Sequence, residues 1–162
     1  MQSCKKDELV FGVKRAAPIV MGYIPVGFAL GVMAADAGLD PLHMSLMSLF
    51  VYAGSAQFIA VEMLGSGVSA IPIIITTFLV NLRHFLFSAS LAPHFREIKQ
   101  KFIPLISFFI TDESFAVSIT DAKQRPLSHI YYFGLYMTAY SSWVISTIMG
   151  ATLGNLIPDT KA

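Results

Sequence analysis

The chain has 162 residues, of which 55% are hydrophobic and only 13% are charged, whereas soluble domains carry about 25% charged residues. This composition excludes a soluble domain, because a folded chain of this size keeps much of its surface in water. A formal net charge of +1, without a basic stripe, argues against a nucleic-acid-binding surface. The single cysteine, Cys4, excludes a disulfide framework and a cysteine-rich metal site.

Long uncharged stretches dominate the chain. Four of them contain no Asp, Glu, Lys or Arg, and each is at least as long as the roughly 20 helical residues that cross a hydrocarbon core about 30 Å thick. They are residues 16–35, 41–61, 63–82 and 126–158, and a fifth apolar stretch, 102–119, is interrupted by Asp112 and Glu113. The sequence therefore predicts an all-α fold, a polytopic transmembrane helical bundle of about five hydrophobic segments.

We expect this transmembrane helical domain to occupy residues 16–157, between a basic cytoplasmic tail at 1–15 and a polar end at 158–162. In the first segment, Gly27 and Gly31 form a small-xxx-small ridge, which lets another helix approach closely. No internal repeat is recognisable in the sequence.

The basic residues predict the orientation of the chain. The basic tail places the N-terminus in the cytoplasm under the positive-inside rule. If the first three segments each crossed once, the most basic loop, 94–101, would lie outside. A break in the second segment at Gly54 and Ser55 would let that segment re-enter and return, which brings the loop to the cytoplasm. We therefore expect the second segment to be broken or re-entrant.

Polar side chains within the apolar segments are the candidate site, because ionisable groups are costly in a bilayer and usually have a partner or a function. Arg83 is the only Lys or Arg between Arg15 and Arg96, so we expect an ion pair with Asp112 or Glu113. Glu62 is the rival partner. The substrate or proton pathway is predicted to use Gln57, Asn81, Arg83, His84, Asp112 and Glu113.

The carboxylates in these segments outnumber the arginine. Glu62 lies within one turn of the end of its segment, so we expect its side chain to reach water. Of Asp112 and Glu113, we expect the one that does not contact Arg83 to take up a proton. Protonation removes the charge, and with it the free-energy cost of burying a carboxylate that has no cation beside it. This chemistry is typical of a proton-coupled transporter.

Several short motifs occur in order along the chain: GYIPVGF at 22–28, AGSAQF at 53–58, VNLRHF at 80–85, LAP at 91–93 and TDESFA at 111–116. With these motifs the chain resembles the AzlC family of branched-chain amino acid permeases. The resemblance implies export of branched-chain amino acids across the bacterial inner membrane, and a small second membrane subunit of the AzlD type. Family members continue for about two further helices, so we expect this chain to be truncated before them.

Two other classes of function remain open. An intramembrane enzyme could use Ser55 and His84 as a hydrolytic dyad, although no Gly-x-Ser-x-Gly or His-Glu-x-x-His motif is present. A passive channel is the other alternative.

We expect a secondary transporter, not an enzyme, and no cofactor or metal. Arg83 or the start of a half-helix at Gly54 would take the substrate carboxylate.

Overall fold

The computed structural model describes residues 2–95 and 98–156, with side chains from Lys5 onward. All regular structure in these ranges is helical, which confirms the all-α prediction. The polar end at 158–162 and part of the basic loop, Arg96 and Glu97, lie outside the described residues. The α-helices are α1 Gln2–Arg15, α2 Ala17–Asp36, α3 Pro41–Phe50, α4 Gly54–Gly65, α5 Ala70–Leu91, α6 Ile103–Phe108, α7 Asp112–Ala122 and α8 His129–Leu156. Short 3-10 helices, Ala92–Phe95 and Gln100–Phe102, follow α5.

Among the described residues, two helices are long and apolar enough to cross a membrane: α2, and α5 with its extension to Phe95. The prediction of about five spanning segments is therefore not confirmed. The second and fourth predicted segments are each divided into two shorter helices. The α8 helix has enough residues to cross a membrane, but its many Tyr, Ser and Thr residues lower its mean hydropathy.

The predicted break in the second segment is confirmed. Helix α3 ends at Phe50, residues 51–53 are not helical, and α4 begins at Gly54. A side chain would not fit at Gly54, because a Cβ there would lie 2.9 Å from the ring of Trp143. The fourth segment has a similar break at 109–111, between α6 and α7, which the sequence analysis did not predict.

The chain divides into two compact units: unit 1 is Met1–Met21 with Leu82–Ser141, and unit 2 is Gly22–Asn81 with Ser142–Ala162. Helices α2, α5 and α8 each contribute residues to both units. The largest fully buried side chains of unit 1 include Leu91, Ile110, Tyr131, Tyr132, Leu135 and Tyr136, and those of unit 2 include Leu30, Met44, Gln57, Val61 and Thr147.

Glycines bring the helix backbones of each unit together. In unit 1, a Cβ on Gly134 of α8 would lie 2.6 Å from the carbonyl oxygen of Leu9 in α1. The segment treated as a basic tail is thus a packed helix. In unit 2, a Cβ on Gly31 would lie 2.8 Å from the carbonyl carbon of Gly150, and one on Gly27 would collide with Ser146. The predicted close-packing role of the Gly27–Gly31 ridge is confirmed, and its partner is α8.

Candidate functional site

Arg83 of α5 forms a salt bridge with Asp112, the first residue of α7, with 3.0 Å between Nη1 and Oδ2. This confirms the predicted ion pair and selects Asp112 as the partner. Both side chains are partly exposed, at 30% for Arg83 and 41% for Asp112. Among the described residues, the buried Nε of Arg83 has no hydrogen-bond partner. The guanidinium therefore retains a donor that a substrate could use.

The start of α7 fixes the position of Asp112. The Thr111 side chain accepts a hydrogen bond from the Ser114 amide at 3.3 Å, and the Ser114 hydroxyl accepts one from the Thr111 amide at 2.8 Å. This reciprocal capping satisfies two donors that an uncapped helix start would leave unpaired. Asp112 and Glu113 occupy the first turn, where the helix dipole favours negative charge. The local sequence thus gathers two carboxylates at one helix start.

Aromatic rings join the same two helices about one turn further along each helix from the salt bridge. Phe87, one turn after Arg83, stacks on Phe115 of α7 with 4.6 Å between ring centroids. His84 lies edge-on to Phe87 at 5.9 Å. Glu113 is exposed. Asn81 lies on the same α5 helix but in the part of it that belongs to unit 2.

Gln57 lies in unit 2, in a buried network of polar side chains beside the break between α3 and α4. Its Oε1 accepts a hydrogen bond from the indole Nε1 of Trp143 at 2.8 Å, and its Nε2 donates to the Ser48 hydroxyl at 3.3 Å. Thr147 donates to the same Ser48 hydroxyl at 2.8 Å. Gln57, Ser48 and Thr147 are fully buried. Buried polar groups that are paired in this way rigidify the structure around them.

The sequence analysis missed a second ion pair in unit 1. Asp121, at the end of α7, is 5% exposed and accepts hydrogen bonds from two nitrogens of Arg15 and from the Tyr131 hydroxyl. The hydrogen bonds with Asp121 raise the pKa of the Arg15 guanidinium. Beside this pair, Arg125 bonds Glu8 at 2.8 Å and lies over the Phe11 ring. The cluster ties α1 to α7 and α8.

Glu62, the rival partner for Arg83, is exposed near the end of α4, as the sequence analysis expected. Unit 1 also contains an apolar cavity of about 270 Å³, lined by aliphatic residues of α6, by mainly aromatic residues of α8, and by Phe102 and Phe109. Ligand pockets usually measure roughly 300–1,000 Å³, so this cavity suits a small apolar group.

Within residues 2–95 and 98–156, no three His, Cys, Asp or Glu side chains are grouped to hold a metal ion.

Comparison with known proteins places the chain in a family. The family model described as AzlC protein matches residues 18–157. The chain is 35% identical over 147 residues to the inner membrane protein YgaZ of Escherichia coli, covering 89% of this chain and 60% of YgaZ. It is 34% identical over 146 residues to an uncharacterized membrane protein of Archaeoglobus fulgidus, covering 90% of this chain and 63% of that protein.

A third relative has a name that states a function. The branched-chain amino acid transport protein AzlC of Bacillus subtilis is 26% identical over 141 residues, covering 86% of this chain and 55% of that protein. The chain thus spans less than two thirds of the length of these three relatives. No solved structure matches it. Since the family model covers most of its residues, the chain belongs to the AzlC family.

Proposed function

We propose that this chain is the substrate-handling part of a secondary transporter that exports branched-chain amino acids across the bacterial inner membrane. The observation that carries the proposal is the Arg83–Asp112 salt bridge, formed between an apolar helix and the capped start of α7. Membership of the AzlC family also supports the proposal, because one relative is named as a branched-chain amino acid transport protein. A charged pair within apolar helices is expensive in a bilayer and generally marks a substrate or ion pathway.

The chemistry of the substrate matches this pair. A branched-chain amino acid carries a carboxylate, an ammonium group and an aliphatic side chain. Arg83 would bind the carboxylate through the nitrogen that Asp112 leaves unused, because a guanidinium presents five donors. Asp112 would hold the ammonium group. The apolar cavity of unit 1 is the candidate for the aliphatic side chain.

Proton coupling is the second part of the proposal. Asp112 forms the salt bridge with Arg83, and Glu113 is the exposed carboxylate next to it in the first turn of α7; we assign the coupling proton to Glu113. A carboxylate at membrane depth that gains and loses a proton during the cycle can drive export with the proton gradient, because its charged form is penalised there. His84 lies one residue from Arg83 and would join the same pathway.

The partner and the orientation complete the proposal. We propose that a small membrane subunit of the AzlD type is required for transport, and that the N-terminus lies in the cytoplasm. The N-terminal helix carries Lys5, Lys6 and Lys14 on its exposed surface, which supports this side under the positive-inside rule.

An efflux assay tests the function. Cells loaded with radiolabelled leucine would be compared with and without this chain, each with and without the small subunit. We expect leucine to leave the cells against its gradient only when the chain and the small subunit are both present, and a protonophore to stop this efflux. Efflux that only follows the gradient and ignores the protonophore would identify a passive channel instead. An Arg83→Gln variant, which removes the charge, is expected to abolish efflux.

A further inference from the structure

The helices fall into two successive sets of the same kind. In the first set, α3 has a proline in its first turn, residues 51–53 form a break, and α4 and the long α5 follow. In the second set, α6 has a proline in its first turn, residues 109–111 form a break, and α7 and the long α8 follow. The halves after each break begin at Gly54 and Asp112, and the long helices at Ala70 and His129. From the end of the first short helix to the start of the long helix, the two sets therefore keep the same spacing to within one residue, although α3 is longer than α6.

The burial pattern around the two breaks is also the same. Within residues 48–56 of the first set the buried positions are Ser48, Tyr52, Ala53 and Ala56. In the second set they are Ile106, Ile110, Thr111 and Ser114. These residues occupy matching positions relative to the start of α4 and of α7, although their side chains differ. The helix boundaries and buried positions thus correspond where the side chains do not.

Each broken helix is held by the later half of a long helix from the other set. In unit 1, Arg83 and Phe87 of α5 contact Asp112 and Phe115 of α7. These α5 residues are four apart and share one helical face.

In unit 2, Trp143 and Thr147 of α8 have the same spacing. Trp143 bonds Gln57 in the first turn of α4, and Thr147 bonds Ser48 of α3. In each unit, the long helix of the other set thus contacts a residue in the first turn of the half that follows the break: Arg83 contacts Asp112 of α7, and Trp143 contacts Gln57 of α4.

We infer that the two sets are copies of one structural repeat, and that Trp143 is a positioning residue that sets the start of α4 during transport by holding Gln57. In transporters built from repeats, the breaks of discontinuous helices commonly lie at the substrate and ion sites. One copy carries a charged, partly exposed pair, and the other a neutral, buried pair. The inference rests on the proposed function, because it assigns a role in the transport cycle to the second break.

The chain has a single tryptophan, so its intrinsic fluorescence reports on Trp143 alone. The purified chain would be titrated with leucine while emission and quenching by acrylamide are followed. We expect saturating leucine to change the emission of Trp143, because the hydrogen bond to Gln57 changes as α4 moves. Lysine, whose charged side chain does not suit an apolar pocket, is expected to leave the emission unchanged. Gln57→Leu is expected to shift the emission to shorter wavelength and to remove the response to leucine.

Binding of radiolabelled leucine, measured on the same samples, separates the inference from the proposed function. Bound leucine without any change in Trp143 emission overturns the inference alone. If no branched-chain amino acid binds, either to the chain alone or to the chain with the small subunit, the proposed function fails, and the inference fails with it.

A kinetic arm needs no fluorescence. Trp143→Phe keeps a ring beside Gly54 but loses the N–H donor, so we expect kcat for leucine efflux to fall about tenfold while KM changes by less than about twofold. Ile145→Leu, an exposed position on the same helix, is the matched control and is expected to behave like the wild type. If the two variants behave alike, Trp143 has no positioning role.

Discussion

Asp121 holds Arg15 through two hydrogen bonds, one from Nε at 2.8 Å and one from Nη2 at 2.7 Å. The carboxylate belongs to α7 and the guanidinium to the last turn of α1. A two-point contact of this kind fixes orientation as well as distance. The start of α7 carries Asp112, so this contact secures the far end of the helix that presents the candidate site.

We predict that Asp121→Ala destabilises the protein by about 2 kcal/mol, because it leaves Arg15 and the Tyr131 hydroxyl without their partner. The loss is smaller than the roughly 3–5 kcal/mol of a fully buried pair, since the Arg15 side chain is 40% exposed. Thermal unfolding in detergent measures this loss of stability. Arg125→Ala removes the neighbouring exposed pair and is expected to cost only about 0.5–1 kcal/mol. Equal effects of the two variants would contradict this account.

Neutralising Glu113 should separate coupling from binding. We predict that Glu113→Gln abolishes protonophore-sensitive efflux but leaves exchange of labelled for unlabelled leucine measurable, because exchange needs the binding site without the proton cycle. Asp112→Asn is the contrast: it strands Arg83 at membrane depth and should impair both activities. Full uphill efflux by the Glu113→Gln variant would show that this carboxylate does not carry the proton.

Gly134 tests the close contact of α1 with α8. We predict that Gly134→Ala destabilises the protein by about 1–3 kcal/mol, because the new Cβ would meet the backbone of Leu9 and the two helices would have to separate. The control is Gly22→Ala in α2, where a Cβ meets nothing within 4 Å. This change should stabilise the helix by about 0.5–1 kcal/mol. Thermal midpoints of the two variants should move in opposite directions.

A cysteine at Lys99 tests the orientation. In a Cys4→Ser background, Lys99→Cys should react with a membrane-impermeant maleimide only after the cells are opened, because we expect the basic loop to face the cytoplasm. A cysteine at Lys123, which the re-entrant path places outside, should react in intact cells. The opposite pattern of labelling would show that the second segment crosses the membrane fully.

Local signals in the sequence predicted part of this structure correctly. The Gly-Ser pair at 54–55, together with the placement of basic residues, predicted the first break. The second break had an equally clear signal, because Thr111 and Ser114 form the reciprocal cap of α7 and two acidic residues fill its first turn. That stretch was interpreted instead as an apolar segment interrupted by charge, so its helix start was missed.

Long-range pairing was harder to predict. A lone arginine inside an apolar helix requires an anion, so pairing of Arg83 with Asp112 or Glu113 followed from charge balance. Arg15 and Asp121 gave no such signal, since one lies in a basic tail and the other in a polar turn of the sequence. Hydrophobic periodicity predicts which residues face a core but not which distant segments meet there. The partner of Gln57, Trp143, therefore emerged only from the fold.

The shortness of α3 and α6 has a consequence for how the protein enters the membrane. With ten and six residues, they measure about 15 Å and 9 Å at 1.5 Å per residue, against a hydrocarbon core of about 30 Å. Neither can insert into the lipid as a separate transmembrane helix, because the backbone N–H and C=O groups at its ends would lie in the hydrocarbon core without hydrogen-bond partners. We therefore expect insertion to begin with long helices such as α2 and α5, and the short helices to fold against protein that is already in the membrane.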